Sequence, residues 1–74
     1  MYITVTIEAE GRRYGVSIDN RQCIASAYNI LKERGMIKEK NPPTLYKSAL
    51  LDKWVNGAGT FAEQDVVSGD LLTA

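Results

Sequence analysis

The sequence predicts an α+β domain in which one helix packs on a mixed sheet of four or five strands. Residues 2–8 alternate apolar β-branched residues with polar ones, the period-two pattern of a half-buried strand. Residues 21–34 contain no Gly or Pro and repeat apolar residues at helical spacing. Because 74 residues support one hydrophobic core, we expect a single domain spanning residues 1–74.

The first two predicted strands form a hairpin. Glu10, Gly11 and Arg12 supply the turn between them, since glycine adopts positive φ without steric cost. On both sides of this turn, apolar residues occupy every second position, which places them on one face of the sheet. These positions are Ile3, Val5, Ile7, Tyr14, Val16 and Ile18.

The helix is predicted at residues 21–34. Asp19 and Asn20 precede it and are residue types that cap helix N-termini, whereas Gly35 suits the position after a helix C-terminus. The buried stripe of this helix is predicted to contain Ile24, Ala27, Tyr28 and Leu31, with Cys23 and Ile30 at its margins.

The second half of the chain completes the order β-β-α-β-β-β. Residues 38–44 carry two adjacent prolines and predict a loop. Strands are predicted at 45–51, 54–55 and 70–74, with the NGAG segment at 56–59 as a turn. A right-handed crossover places the last strand parallel to the first, which turns Leu72 inward and gives a β-grasp arrangement.

Composition and charge exclude several functional classes. Nine Lys plus Arg balance nine Asp plus Glu, so no net charge favours nucleic acid or an anionic membrane surface. No apolar run is long enough to insert into a membrane. The first ten residues do not resemble a signal peptide, and the chain is expected in the cytoplasm.

We expect no catalytic, metal or cofactor site and therefore no enzyme. One cysteine and no histidine are too few for a zinc site or a Ser-His-Asp or Cys-His pair. The NGAGT segment lacks the Lys-Ser/Thr of a phosphate loop. Cys23 is expected in the core, and the scattered acidic residues, Asp70 among them, are expected to be solvated.

Trp54 is the candidate partner-binding residue. Val55 beside it is the better inward candidate, and neighbours on a strand face opposite ways. Trp54 is therefore expected on the sheet face away from the helix, where it forms a docking surface with Tyr46 or Tyr2. Tryptophan anchors interfaces out of proportion to its abundance.

Residues 60–74, TFAEQDVVSGDLLTA, resemble the closing segment of ubiquitin-like folds. In this resemblance Phe61, Val66 and Leu72 are the apolar positions and Gly69 provides the positive-φ turn. MYITVTIEA at the start, DKWVNG at 52–57 and VVSGDLL are similar in order and spacing to the YukD/EsaB-type ubiquitin-like proteins of the bacterial type VII (WXG100) secretion system.

The resemblance implies a non-enzymatic interaction module, an accessory or regulatory component of a type VII-like secretion system. Its expected partner is a protein, with a membrane-anchored secretion component at the inner face of the membrane as one candidate. A homodimer through an edge strand stays open. The alternative is a ubiquitin-like modifier or a sulfur carrier, which the absence of a C-terminal diglycine disfavours.

Overall fold

The structure is a computed structural model that describes residues 1–38 and 41–74. The elements are β1 (Tyr2–Ala9), β2 (Arg12–Asp19), α1 (Ile24–Glu33), β3 (Leu45–Ser48), β4 (Lys53–Asn56) and β5 (Leu71–Thr73). One sheet contains the five strands in the order β2-β1-β5-β3-β4. Strands β1 and β5 are parallel, and the other neighbouring pairs are antiparallel.

This architecture confirms the predicted mixed sheet packed on one helix. Strand β5 lies between β1 and β3, and its Leu72 side chain is fully buried, as predicted. Gly69 adopts a positive φ of 92° immediately before it. Residues 38 and 41–44 lie outside helices and strands, whereas residues 39 and 40 of the predicted loop are outside the described residues.

One core lies between the helix and the sheet. The predicted helix stripe is buried, and so are Phe61 and Val66 from the segment before β5. The strands contribute Ile3, Val5, Ile7, Ala9, Val16, Ile18, Tyr46, Val55 and Leu72 to this core.

In the part of the chain that the structure describes, no helix is long and apolar enough to cross a bilayer.

Helix α1 begins at Ile24, three residues after the predicted start at residue 21. The predicted capping residue Asp19 accepts a hydrogen bond from the Arg21 backbone N–H at 3.0 Å through Oδ1, which closes a turn before the helix. The residue at the N-cap position is Cys23, whose side chain makes no capping hydrogen bond. The predicted start was wrong because Asp19 stabilises a turn and not the helix.

Backbone carbonyls from a distant loop satisfy the first N–H groups of α1. The Ile24 N–H donates to the Gly59 carbonyl at 3.0 Å, and the Ala25 N–H donates to the Gly57 carbonyl at 2.9 Å. A Cβ at residue 57 would lie 2.9 Å from Cε1 of Tyr46. Only glycine therefore lets this loop approach the core closely enough to cap the helix.

Strand β3 ends at Ser48 because a buried carboxylate stops it there. Asp70 is 1% exposed, so the prediction that it is solvated was wrong. The Ser48 hydroxyl donates to Asp70 Oδ2 at 2.5 Å. The backbone N–H groups of Leu50 and Leu71 donate to Asp70 Oδ1 at 3.1 and 2.8 Å. These bonds fold the segment after Ser48 into a turn, which shortens the predicted strand at 45–51.

Candidate functional site

Trp54 lies on β4, an edge strand, with its side chain 60% exposed. Its neighbour Val55 is 2% exposed and points into the core, so the indole lies on the sheet face away from the helix. This placement confirms the predicted exposure of Trp54. An exposed indole is a large apolar area that remains available to a partner.

Lys47 and Leu45 on β3 complete what we call the Trp54 surface, defined as Leu45, Lys47 and Trp54. Lys47 lies directly opposite Trp54 in the β3–β4 register. The Lys47 Nζ lies 5.9 Å from the Trp54 ring centroid and 3.6 Å from Asp52 Oδ1. Leu45, diagonal to Trp54 on the same face, is 49% exposed. The surface therefore combines apolar side chains with one cation.

Tyr46 does not belong to this surface, and its predicted role beside Trp54 was wrong. It pairs with Val55 across the strands, so both side chains point to the helix side of the sheet. Tyr46 is 0% exposed and packs edge-on against Tyr28, with ring centroids 6.3 Å apart. Burial raises the pKa of the Tyr46 hydroxyl well above its ordinary value of 10.0.

Tyr2 is 72% exposed but lies far from Trp54. The register aligns Trp54 with Lys47, Lys47 with Thr73, and Thr73 with Glu8 of β1. Tyr2 precedes Glu8 by six positions on β1, which is about 20 Å along a strand. The structure therefore does not join Tyr2 and Trp54 in one surface.

The described residues present no arrangement suited to metal binding. Residues 1–38 and 41–74 contain no group of three or more His, Cys, Asp or Glu side chains that could hold a metal ion. The Cys23 thiol is half-buried and lies 3.1 Å from the Ser26 hydroxyl.

No family model and no curated protein match the chain. Among solved structures, it is similar to the EccD5 ubiquitin-like domain from Mycobacterium xenopi, with a TM-score of 0.59. The alignment covers 99% of this chain and 91% of that chain, at 19% sequence identity. The chain has the ubiquitin-like β-grasp fold.

Two residues that shape this ubiquitin-like chain were missed by sequence reasoning. Gln64 pairs with both backbone groups of Asn56 on β4, through Oε1 at 2.5 Å and Nε2 at 2.7 Å. Asp70 organises the turn after β3. The resemblance of residues 60–74 to ubiquitin-like folds assigned a role to neither residue. The Ser-Gly-Asp sequence before a strand was the available signal for Asp70, because Asp commonly bonds nearby backbone N–H groups.

Proposed function

We propose that this ubiquitin-like chain is a non-enzymatic protein-interaction module, an accessory or regulatory component of a type VII-like secretion apparatus. The observation that carries the proposal is the exposed Trp54 indole on the open face of the sheet. Function in a domain of this kind depends on the surface residues and not on the fold. The Trp54 surface supplies the apolar anchor that a protein interface needs.

The size of the indole sets the expected contribution of Trp54 to binding. A fully exposed tryptophan offers about 250 Å², so an exposed fraction of 60% leaves roughly 150 Å² to bury. At about 25 cal/mol per Å², this area contributes up to ~4 kcal/mol. Lys47 and its ion-pair partner Asp52 place one positive and one negative charge beside the ring, which favours a partner with an apolar side chain surrounded by polar groups.

The similarity to EccD5 supports the cellular setting of the proposal. EccD5 is a type VII secretion component, and its ubiquitin-like domain shares this fold over nearly the whole chain. The sequence resemblance to YukD/EsaB-type proteins favours the same setting. We therefore propose a membrane-anchored secretion component as the partner, with this chain on the cytoplasmic side.

The alternative functions, a ubiquitin-like modifier or a sulfur carrier, need a mobile C-terminal tail whose carboxylate reaches an active site. Residues 71–73 form β5, which pairs with β1 on one side and with β3 on the other. The Ala74 N–H donates to the Glu8 carbonyl at 2.9 Å. Residues 71–74 are thus held in the sheet, and recovery of covalent adducts is the observation that separates a modifier from an interaction module.

A quantitative pull-down from the organism that encodes the chain tests this function. Wild type, Trp54→Ala and Tyr2→Ala serve as baits on detergent-solubilised membranes, after circular dichroism confirms that each is folded. Tyr2→Ala is the matched control, because it removes another exposed aromatic side chain, 72% exposed against 60% for Trp54, that lies far from the Trp54 surface. Mass spectrometry then quantifies secretion components recovered by each bait.

Wild type and Tyr2→Ala are expected to enrich the same membrane-anchored component. Trp54→Ala should lose about 2–4 kcal/mol of binding free energy, a roughly 30- to 900-fold weaker affinity. Equal recovery by Trp54→Ala and wild type would exclude the Trp54 surface. Recovery of covalent adducts by wild type would instead support the modifier alternative.

A further inference from the structure

The two edges of the sheet differ in how accessible their backbone groups are. At the β4 edge, the Gln64 side-chain amide pairs with both the N–H and the carbonyl of Asn56. The Gly59 N–H also donates to this Asn56 carbonyl, at 3.1 Å. These groups close the end of β4 to an added strand. Among residues 1–38 and 41–74, no such cover is found over Arg13, Gly15 and Ser17 of the β2 edge.

The hydrogen-bond alternation shows which groups of β2 are open. Thr6 and Glu8 direct their backbone groups to the β5 side of β1, where the Thr6 N–H donates to the Asp70 carbonyl at 2.9 Å. The β1 residues between them therefore pair with β2. This alternation leaves outward-pointing N–H and carbonyl groups on three β2 residues. In residues 1–38 and 41–74 no backbone partner is found for these residues, which are Arg13, Gly15 and Ser17.

We propose that β2 is a pairing edge for a second copy of this chain, joined antiparallel about a two-fold axis at Gly15. Gly15 then pairs with Gly15 of the second copy, and Arg13 pairs with Ser17 of the second copy on each side of the axis. Each of these three residue pairs has both backbone groups in position, so each forms two hydrogen bonds. In the pair, every outward-pointing backbone N–H and carbonyl group from Arg13 to Ser17 has a hydrogen-bond partner.

The side chains of β2 suit this register. In this register no like charges lie opposite one another. Tyr14 of one copy lies opposite Val16 of the second copy, and Arg12 lies opposite Ile18 of the second copy. A Cβ on Gly15 would meet nothing within 4 Å, so the space at the axis is open. Because like charges directly opposite one another destabilise a pair of strands, their absence favours this register.

Arg12 provides charge complementarity between the two copies. Ile18 and Glu33 line one groove between β2 and α1, and Arg12 lies opposite Ile18 in the proposed register. The proposed register therefore brings Arg12 of one copy to the groove that Glu33 of the other copy lines. Both side chains are exposed, and neither has an ion-pair partner among the described residues. Two symmetric Arg12–Glu33 pairs would select a second copy as the occupant of this edge.

The pairing is independent of the proposed docking function. It joins two five-stranded sheets through β2, and β4 lies at the opposite end of each sheet. Trp54 therefore remains exposed in the pair. Loss of the partner-binding function and loss of self-association are expected to follow from different substitutions.

Sedimentation velocity of the full chain, from micromolar to millimolar concentration, tests the pairing. Wild type is expected to shift from the mass of one chain toward twice that mass as concentration rises. Arg12→Glu and Glu33→Arg should each weaken dimerisation at least about tenfold, because each places like charges together. The double variant restores the pair with reversed charges and should return to within about threefold of wild type.

Two further variants assign the association to the β2 edge. Gly15→Pro removes the outward N–H that would donate across the two-fold axis, so this variant is expected to stay monomeric. It is expected to fold, because proline is tolerated where the N–H of an edge strand faces solvent. Trp54→Ala is expected to dimerise like wild type. A monomeric wild type at millimolar concentration would overturn the proposal, and so would a charge-reversed double variant no tighter than either single variant. The charge variants decide the matter even if Gly15→Pro does not fold.

Discussion

Replacing Tyr46 with phenylalanine is expected to stabilise the fold, although Tyr46 is one of the largest side chains in the core. The side chain is fully buried, and its hydroxyl has no hydrogen-bond partner within residues 1–38 and 41–74. A buried hydroxyl without a partner costs about 1–3 kcal/mol. Allowing for the small void left behind, the net gain is about 1 kcal/mol, or roughly 4–8 °C in Tm for a domain of this size.

Tyr14→Phe is the matched control, because the same atom is removed from a hydroxyl that has a partner. The Tyr14 hydroxyl donates to the Met36 carbonyl at 3.1 Å. Its loss should lower the free energy of unfolding by about 0.5–1.5 kcal/mol. Urea unfolding followed by circular dichroism gives this free energy for both variants and for wild type. If Tyr46→Phe proved as destabilising as Tyr14→Phe, the Tyr46 hydroxyl would have to be paired and the reasoning would fail.

Alkaline pH provides a second readout of the same hydroxyl. Burial raises the pKa of Tyr46 in the folded chain above its ordinary value of 10.0, so the unfolded chain releases this proton first. A raised folded-state pKa contributes stability that is present below about pH 10 and is lost as the pH rises further. Wild type should therefore lose stability faster than Tyr46→Phe above about pH 10. If the stabilities of wild type and Tyr46→Phe fell in parallel above about pH 10, the effect of burial on the Tyr46 pKa would be contradicted.

Two other predictions concern carboxylates. Asp70→Ala leaves a buried hydroxyl and two backbone N–H groups without their acceptor. It should lower the free energy of unfolding, measured in urea, by about 3–5 kcal/mol. Asp70→Asn keeps one acceptor oxygen and should lower this free energy by less than half as much. Hydrogen bonds from Arg21 lower the pKa of Asp19 below 3.8, and hydrogen bonds from Thr60 lower the pKa of Glu63 below 4.5. Depressed pKa values give stability that is present above the ordinary values of 3.8 and 4.5. Thermal stability should therefore fall as the pH drops below these values toward the lowered pKa values, and Glu63→Gln should reduce that fall.

The strands and the helix stripe were predictable because local periodicity encodes them. From Ile3 to Ala9 in β1 and from Tyr14 to Ile18 in β2 every second residue is apolar, and those residues are buried apart from Tyr14, which is half-buried. The helix start was not predictable, because the groups that satisfy its first N–H groups are the carbonyls of Gly57 and Gly59. More than thirty residues separate donor and acceptor, and no local pattern reports such a contact.

The candidate site was predicted in part for a similar reason. Trp54 is exposed because Val55 is inward, which period-two alternation on one strand predicts. Tyr46 depends on the register between two strands, and that register follows from the turn set by Asp70. Predicting β3 to run through residue 51 hid this turn. The sequence of one strand thus predicts which face of the sheet a side chain occupies more readily than it predicts which side chains of the adjacent strand lie beside it.

The contact between the loop at Gly57 and Gly59 and the start of α1 also makes the local stability of two distant segments depend on each other. Ile24 and Ala25 keep their acceptors only while the segment up to Gly59 stays docked. Their amides should therefore exchange with deuterium only when this loop detaches or the whole chain opens, and exchange as slow as that of the central strand would show that both segments open together.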